Sequence, residues 1–475
     1  MSLLAEALPK TTDIKALFEK QRAHAFAQGQ TSVSHRKEMI LRLRDYVVAH
    51  TQEISEAMYK DFRKSPEEVL LSEISIVLQA ARYVTSNLDK WMKVRQVPTP
   101  LIFTGTAGYL QPESKGNVLI LSPWNYPINI SLAPLIYSIA AGNVTILKPS
   151  EITSHTSAWM AKMAREIFTE EEVAVVEGDV SVAQELLAQP FNHIYFTGSP
   201  QVGKAVMHAA AEHLASVTLE LGGKSPLIID ESAQIPAIIN QAVWSKFINC
   251  GQTCIASDYA LVHRSKVDAF VSAYTEAMDN MSGGPGAAHQ SPTLARLASD
   301  RQFVRVKRLL DDALAKGARI LQGGKTVAEE RFIEPTLLTD VSDDMLITQE
   351  EIFGPLLSVI PYDSPDEVVR YINARPRPLT MYFMSTNKLN IDFILSNTRS
   401  GPVMVNDTML HFGHMELPFG GINNSGQGSS TGYAAFREFS HERGVMVRKW
   451  ATMSFLYPPY NDLKRALLNA FKRIL

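Results

Sequence analysis

From Gly116 onward, short apolar runs alternate with helical stretches, and no other feature constrains the architecture as strongly. Val118 to Leu121 and Val144 to Leu147 are the continuous runs expected of strands buried on both faces of a parallel sheet. Between them, Asn129 to Ala141 reads as an apolar helix, and further strands are expected at Val173 to Val176, His193 to Phe196 and Val217 to Leu221. A second series follows. It holds a strand near Leu227 to Ile229, a helix ending at Asn249 to Cys254, a strand at Tyr259 to Val262 and a long helix from Pro292 to Lys316. Asp366 to Asn373 reads as a helix, and Leu379 to Met384 and Val403 to Val405 as strands. Such alternation gives an α/β fold with doubly wound sheets.

The segment before this is helical in pattern. Thr31 to Asp61 repeats apolar residues at helical spacing, and Ser65-Pro66-Glu67-Glu68 signals the start of a second long helix reaching Trp91. Leu101 to Phe103 and Ala107 to Leu110, joined across Thr104-Gly105-Thr106, read as a hairpin. With 475 residues the chain exceeds one core, so two or three domains are expected. A net charge of −3 without a dense Lys/Arg run argues against a nucleic-acid partner. No stretch approaches the ~20 apolar residues needed to cross a bilayer. Met1 to Glu6 lack the basic-then-apolar pattern of a signal peptide, so a cytoplasmic protein is expected.

The two cysteines of the chain, Cys250 and Cys254, lie in one short window, Asn249-Cys250-Gly251-Gln252-Thr253-Cys254. So close a pair is no disulfide framework, and no neighbouring His or Cys completes a zinc set, so no metal is expected. A reactive thiol and an inert buried one remain, evenly matched on this window alone. Trp124-Asn125-Tyr126-Pro127 follows a strand, where an amide can point into the ligand crevice of an α/β sheet and serve as an oxyanion donor. Taken alone, a turn residue between two prolines is the simpler reading. Lys148 and Glu151 at the next strand end suit ribose hydroxyls, or merely a charged helix start.

Gly198, Gly203 and Lys204 reproduce P-loop spacing, yet Ala205 stands where that motif needs a hydroxyl for magnesium. Strand, glycine turn and helix N-terminus still offer a place for a pyrophosphate, around Gly198 and Ser199. Glu220 lies inside an apolar strand before Gly222-Gly223. If buried, its pKa rises, as suits a general base; the plainer reading is a solvent-facing residue or a pair with Lys224. Glu350-Glu351-Ile352-Phe353-Gly354 and Leu417 to Gly426 join glycines to aromatics, as close backbone approach to a ligand requires, though ordinary loops do the same.

Taken in this order, the motifs from Trp124-Asn125 to Ser425-Gly426 closely resemble the NAD(P)-dependent aldehyde dehydrogenase superfamily, and Asn125-Tyr126-Pro127 with Phe436 to His441 its class 3 branch. The resemblance implies two doubly wound αβα domains and a small β oligomerisation element. Residues 1–98 and 115–221 would bind NAD or NADP, 222–415 would carry the nucleophile, 99–114 and 430–450 would mediate oligomerisation, and 451–475 would form a tail. It further implies that Cys254 attacks the aldehyde, with Asn125 and the Cys254 N–H holding the oxyanion, and that Glu220 activates the water that hydrolyses a thioester. Glu351 shares the claim to be base. Trp124, Lys148, Glu151, Gly198, Ser199, Glu351 and Phe353 would hold the cofactor, and Tyr126 and Trp244 would line the aldehyde tunnel, Trp244 otherwise packing in its helix. Cys250 would face the core one helical turn before the nucleophile. A medium- or long-chain aliphatic or aromatic aldehyde is the expected substrate. Glu151 on the adenosine ribose disfavours a 2′-phosphate, which leans to NAD.

Two rival readings are a CoA-acylating enzyme, which usually lacks the acid matching Glu220, and a silent scaffold, which tends to lose Cys254 or Asn125. A homodimer is the expected assembly. Asp462 to Leu475 reads as a basic amphipathic helix with a stripe of Leu463, Leu467, Phe471 and Ile474. It suits an anionic membrane surface, although such a stripe more often packs on its own protein or a dimer mate.

Overall fold

The structure, a computed structural model, describes residues 13–450 and 456–472. Its centre is two parallel-stranded sheets joined end to end. The first has six strands in the order Gly426–Gln427, Ser216–Leu221, His193–Gly198, Asn117–Leu121, Val144–Lys148, Val173–Val175. Succession proceeds one way from Asn117–Leu121 to the last two and the other way to His193–Gly198 and Ser216–Leu221. A topological switch therefore lies between Asn117–Leu121 and His193–Gly198, beyond whose carboxyl ends ligands of open α/β sheets sit. The second sheet has seven strands, with Pro226–Ile229, Tyr259–His263 and Leu356–Tyr362 among its parallel members and Met381–Met384 beside Val403–Val405.

Only Gly222 to Ser225 separate the last long strand of the first sheet from Pro226 of the second. So short a link sets the carboxyl ends of the first sheet against the amino ends of the second. Loops that leave the first and enter the second meet at that seam.

The strand and helix alternation read from sequence is present, with Asn129–Ala141 at its expected limits. Other expectations need correction. Thr31 to Asp61 is two helices, Val33–Ala49 and Thr51–Phe62, broken at His50. Leu101–Phe103 is a 3-10 turn rather than half of a hairpin. Thr106–Ser114 pairs with Arg95–Val97 and along its whole length with Ser440–Arg448, because the remote strand offers a longer ladder than a tight turn permits. The helix expected from Pro292 begins only at Asp300, where Ser299 caps it. The helix before the cysteines stops at Phe247, so Cys254 is not on a helical turn after Cys250. The expectations for Met1 to Glu6 and for Ile474 lie outside the described residues.

Candidate active site

Asn249 (φ 55°) and Cys250 (φ 56°) adopt left-handed backbone immediately after the helix Ile235–Phe247, and Gly251 continues with φ 71°. Three such residues reverse the chain sharply and cost strain, which surrounding hydrogen bonds must offset. The Asn249 N–H donates to Glu68 Oε1 at 2.6 Å, and its Nδ2 donates to the carbonyls of Asn125 at 2.8 Å and Gln252 at 3.2 Å. Gln252 Nε2 donates to Asn249 O at 3.0 Å and Arg296 O at 3.1 Å, and its Oε1 accepts from the Ala298 N–H at 2.9 Å. Beyond the cysteine, the Tyr382 hydroxyl donates to Ile255 O at 2.6 Å. The result is a rigid loop that presents Cys254 at the seam.

Cys254 is partly exposed, whereas Cys250 is buried in the core. Burial pushes the Cys250 thiol up to about 12 and leaves it inert, so its core-facing role stands although its helical one does not. Asn125 reaches the same loop from the first sheet: its Nδ2 donates to Gln252 O at 3.0 Å. Tyr126 is buried, and its hydroxyl lies 2.7 Å from Thr253 Oγ1, one residue before the cysteine. Trp244, on the helix that feeds the loop, is 38% exposed and is therefore no core residue.

Two carboxyls flank the thiol. Glu220 is the penultimate residue of the strand Ser216–Leu221, buried, with neither oxygen hydrogen-bonded among the described residues. It does not pair with Lys224, which instead holds Asp258. Burial drives the Glu220 pKa well above the usual carboxylate range. Gly426 pairs backbone to backbone against it, so the glycine-rich loop forms the wall behind this acid. Glu351 lies across Gly222, where a Cβ would sit 2.0 Å from its Oε2. Burial, with the Asp258 charge beside it, pushes Glu351 up to about 8. Burial first, then Glu351 and Glu220, push the Cys254 thiol up to about 12. Burial is the larger cause, so the thiol is held in its protonated form near neutrality.

Residues expected at a cofactor gather at the switch point and the seam. Lys148 Nζ pairs with Glu151 Oε2 at 3.0 Å at one strand end. Gly198 ends the neighbouring strand, and Ser199 caps the helix Pro200–Glu212, its Oγ accepting from the Val202 N–H at 3.4 Å. Buried Ser122 and Thr197 hydroxyls at the same edge have no partner among the described residues. The Trp124 and Phe353 rings meet edge to face with centroids 5.4 Å apart. A helix N-terminus, unpartnered hydroxyls and an aromatic wall at a switch point fit a dinucleotide.

Sequence reasoning missed the residues that hold the Glu351 loop. Arg305 donates to the carbonyls of Glu351, Ile352 and Phe353 at 3.0, 2.6 and 3.3 Å. Lys224 donates to Ile347 O and Glu350 O, both at 2.8 Å, and Asp258 accepts from the Ile352 N–H at 2.7 Å. It also missed Glu68, Asn249 and Gln252; the polar pair in an apolar window was the signal available for the last two.

The model of the aldehyde dehydrogenase family matches residues 6–445. Putative aldehyde dehydrogenase AldX of Bacillus subtilis is 44% identical over 436 residues, 92% of this chain and 98% of that protein. Aldehyde dehydrogenase family 3 member A2 of Pongo abelii is 37% identical, over 93% of this chain and 90% of that one, in keeping with the class 3 branch. The substrate-bound state of Staphylococcus aureus AldH superposes with a TM-score of 0.92 at 37% identity, covering 96% of this chain and 99% of that one. Family members have been solved with NAD+ bound. The chain belongs to the aldehyde dehydrogenase family and is an NAD(P)-dependent enzyme that oxidises an aldehyde.

Proposed function

We propose that the first sheet and its helices bind NAD(P), that the second carries the nucleophile, and that Cys254 performs the chemistry between them. The observation that supports this most is a part-exposed thiol on a hydrogen-bonded loop, close enough to two buried carboxyls for both to raise its pKa. Trp124, Lys148, Glu151, Gly198, Ser199, Glu351 and Phe353 would hold the dinucleotide. When bound, its oxidised ring supplies a positive charge and a hydride acceptor.

Once the thiol has given its proton to water or to an ionised carboxylate, attack of Cys254 Sγ on the carbonyl carbon makes a C–S bond, breaks the C=O π bond and places negative charge on oxygen. The Asn125 amide and the Cys254 N–H receive that charge. Loss of a hydride from that carbon to the bound acceptor would leave the acyl group on sulfur as a thioester, and water must then add to it. A neutral carboxyl cannot take the proton, but Glu220 and Glu351 both lie where an ionised one could. Glu220 is the preferred base, since its oxygens are unengaged. Presence of this acid favours hydrolysis over transfer to CoA, and an intact Cys254 and Asn125 disfavour a silent scaffold.

The substrate would be a medium- or long-chain aliphatic or aromatic aldehyde. Cys254 packs against a cluster that includes Phe247, Met409 and Phe419, with Phe412 beside it, and Tyr126 and Trp244 would line the approach. A homodimer through Ser440–Arg448 is supported by that strand's open edge, with Met446 61% exposed. No helix among the described residues is long and apolar enough to cross a membrane. The helix Asp462–Phe471 leaves Leu463 and Leu467 exposed beside Lys464 and Arg465, which supports peripheral contact of a cytoplasmic enzyme with an anionic membrane.

A panel of aldehydes with NAD and with NADP, with and without CoA, tests the reading. Acid should form without CoA, and Cys254→Ala should lose at least about a thousandfold in kcat. Acyl-CoA accumulation would refute hydrolysis, and turnover by Cys254→Ala would refute the nucleophile. Liposome binding unchanged by removal of the residues after Tyr460 would refute the membrane contact.

A further inference from the structure

Ser65-Pro66-Glu67-Glu68 has the spacing of a capping box, in which an acid three residues after the cap reaches back to the cap's own N–H. Ser65 does cap, its Oγ accepting from the Glu68 N–H at 3.2 Å. The Glu68 carboxylate, however, accepts from the Asn249 N–H at 2.6 Å, on the cysteine loop. A π-turn over Leu70–Ile74 follows at once. Glu73, within that turn, and Lys64 both lie close enough to Glu68 to act on its charge. Glu73 is fully satisfied, pairing with Lys64 Nζ at 2.8 Å and accepting from the Asn129 N–H at 2.8 Å, with Lys64 and Glu73 wholly buried. One ammonium thus faces two carboxyls, and Glu68 is the one left with a single donor.

We propose that Glu68 is a positioning residue for the reaction: its carboxyl clamps the Asn249 N–H and so fixes the left-handed Asn249–Cys250 pair. The inference rests on Cys254 as nucleophile. With that pair fixed, Asn249 Nδ2 reaches Asn125 O and Gln252 O, tying the oxyanion donor's backbone to the loop that carries the thiol. Without the clamp, both could shift together by a fraction of an ångström, and misplacement of about 1 Å costs on the order of a hundredfold in rate.

The groups facing Glu68 are Lys64 and Glu73, which pair with each other, and Tyr126 and Cys250 from the elements packed above. Tyr126 is held well above its usual range and Cys250 at about 12, so neither ionises near neutrality. Burial pushes Glu68 up to about 7. Its charge, and with it the strength of the clamp, grows as pH rises through that value.

The test compares Glu68→Gln, which keeps an acceptor without a charge, with Glu68→Leu, which keeps neither. Readouts are kcat, KM, the rate of Cys254 alkylation by iodoacetamide, the thermal midpoint and the pH profile. Glu68→Leu should lose about ten- to a hundredfold in kcat with KM changed less than about threefold, and its alkylation rate should change, while the thermal midpoint stays near the parent's. Glu68→Gln should recover most of that loss, and subtracting its pH profile from the parent's should leave one inflection near neutrality. Parent-like kcat and alkylation in Glu68→Leu would overturn the proposal, as would a loss in both variants that tracks the fraction unfolded. Cys254→Ala is measured alongside. If it retains turnover, the nucleophile assignment fails; if it is inactive beside a parent-like Glu68→Leu, only the positioning role fails.

Discussion

At the scale of single residues, the site is a set of acids held neutral by burial. Cys254, Glu220 and Glu351 each sit above their ordinary range, and the two carboxyls raise the cost of ionising the thiol between them. In the free enzyme, alkylation of Cys254 should therefore be slow at pH 7 and climb steadily toward high pH, with no plateau below about pH 9. A plateau near pH 7 would show a thiolate already formed. Saturating NAD+ should speed the reaction, since it adds the positive charge the site lacks. Asn125→Ala removes an oxyanion donor and should lower kcat by about a hundred- to a thousandfold with little change in aldehyde KM, read by steady-state kinetics. Glu151 is accessible beside Lys148, so Glu151→Gln should raise kcat/KM for NADP relative to NAD by about tenfold. An unchanged ratio would remove Glu151 from the adenosine ribose.

At the scale of elements, two loops matter more than any strand. The cysteine loop and the Glu351 loop touch at Gly251, where a Cβ would lie 2.3 Å from Gly354 O. With its φ of 71°, Gly251 tolerates a side chain neither sterically nor conformationally. Gly251→Ala should cost about 1–3 kcal/mol in urea unfolding and also depress activity, because it pushes one loop off the other. Gly222→Ala separates function from stability. Its Cβ would strike the Glu351 carboxyl, the movable end of a side chain, so thermal stability should fall little while cofactor affinity and kcat both drop. Unchanged kinetics in this variant would show that Glu351 has no part in the reaction.

For the whole molecule, placing buried acids at a seam between sheets has a measurable cost. Glu68 at about 7 and Glu351 at about 8 keep protons in the folded chain that the unfolded chain releases near 4.5. At these two sites the folded state binds more protons across that window, so their contribution to stability falls as pH rises from about 4.5 to about 8, opposed below about 6.5 by His193 and His411, whose pKa values burial lowers. Glu351→Gln removes one such group. Its thermal midpoint should gain on the parent's between about pH 5 and pH 8, and a gap that narrows instead would mean Glu351 is ionised and compensated in the fold.

The sequence alone marked the five longer strands of the first sheet and four of the second sheet's seven, because burial demands continuous apolar runs; Arg319–Gln322, Thr336–Thr339 and Leu356–Tyr362 went unread. It also marked Cys254, Asn125, Glu220 and Glu351, whose residue types stand out against apolar or glycine-rich surroundings. Tertiary structure decided what depends on partners far along the chain. Thr106–Ser114 pairs along its whole length with Ser440–Arg448, and with Arg95–Val97, not with Leu101–Phe103, since nothing local encodes the length of a distant ladder. Lys224 takes Asp258 and leaves Glu220 alone, and Glu68 forsakes its own helix for Asn249. The thiol's elevated pKa belongs to the same class. A charge's effect is set by distance and dielectric, and neither exists until the two sheets meet.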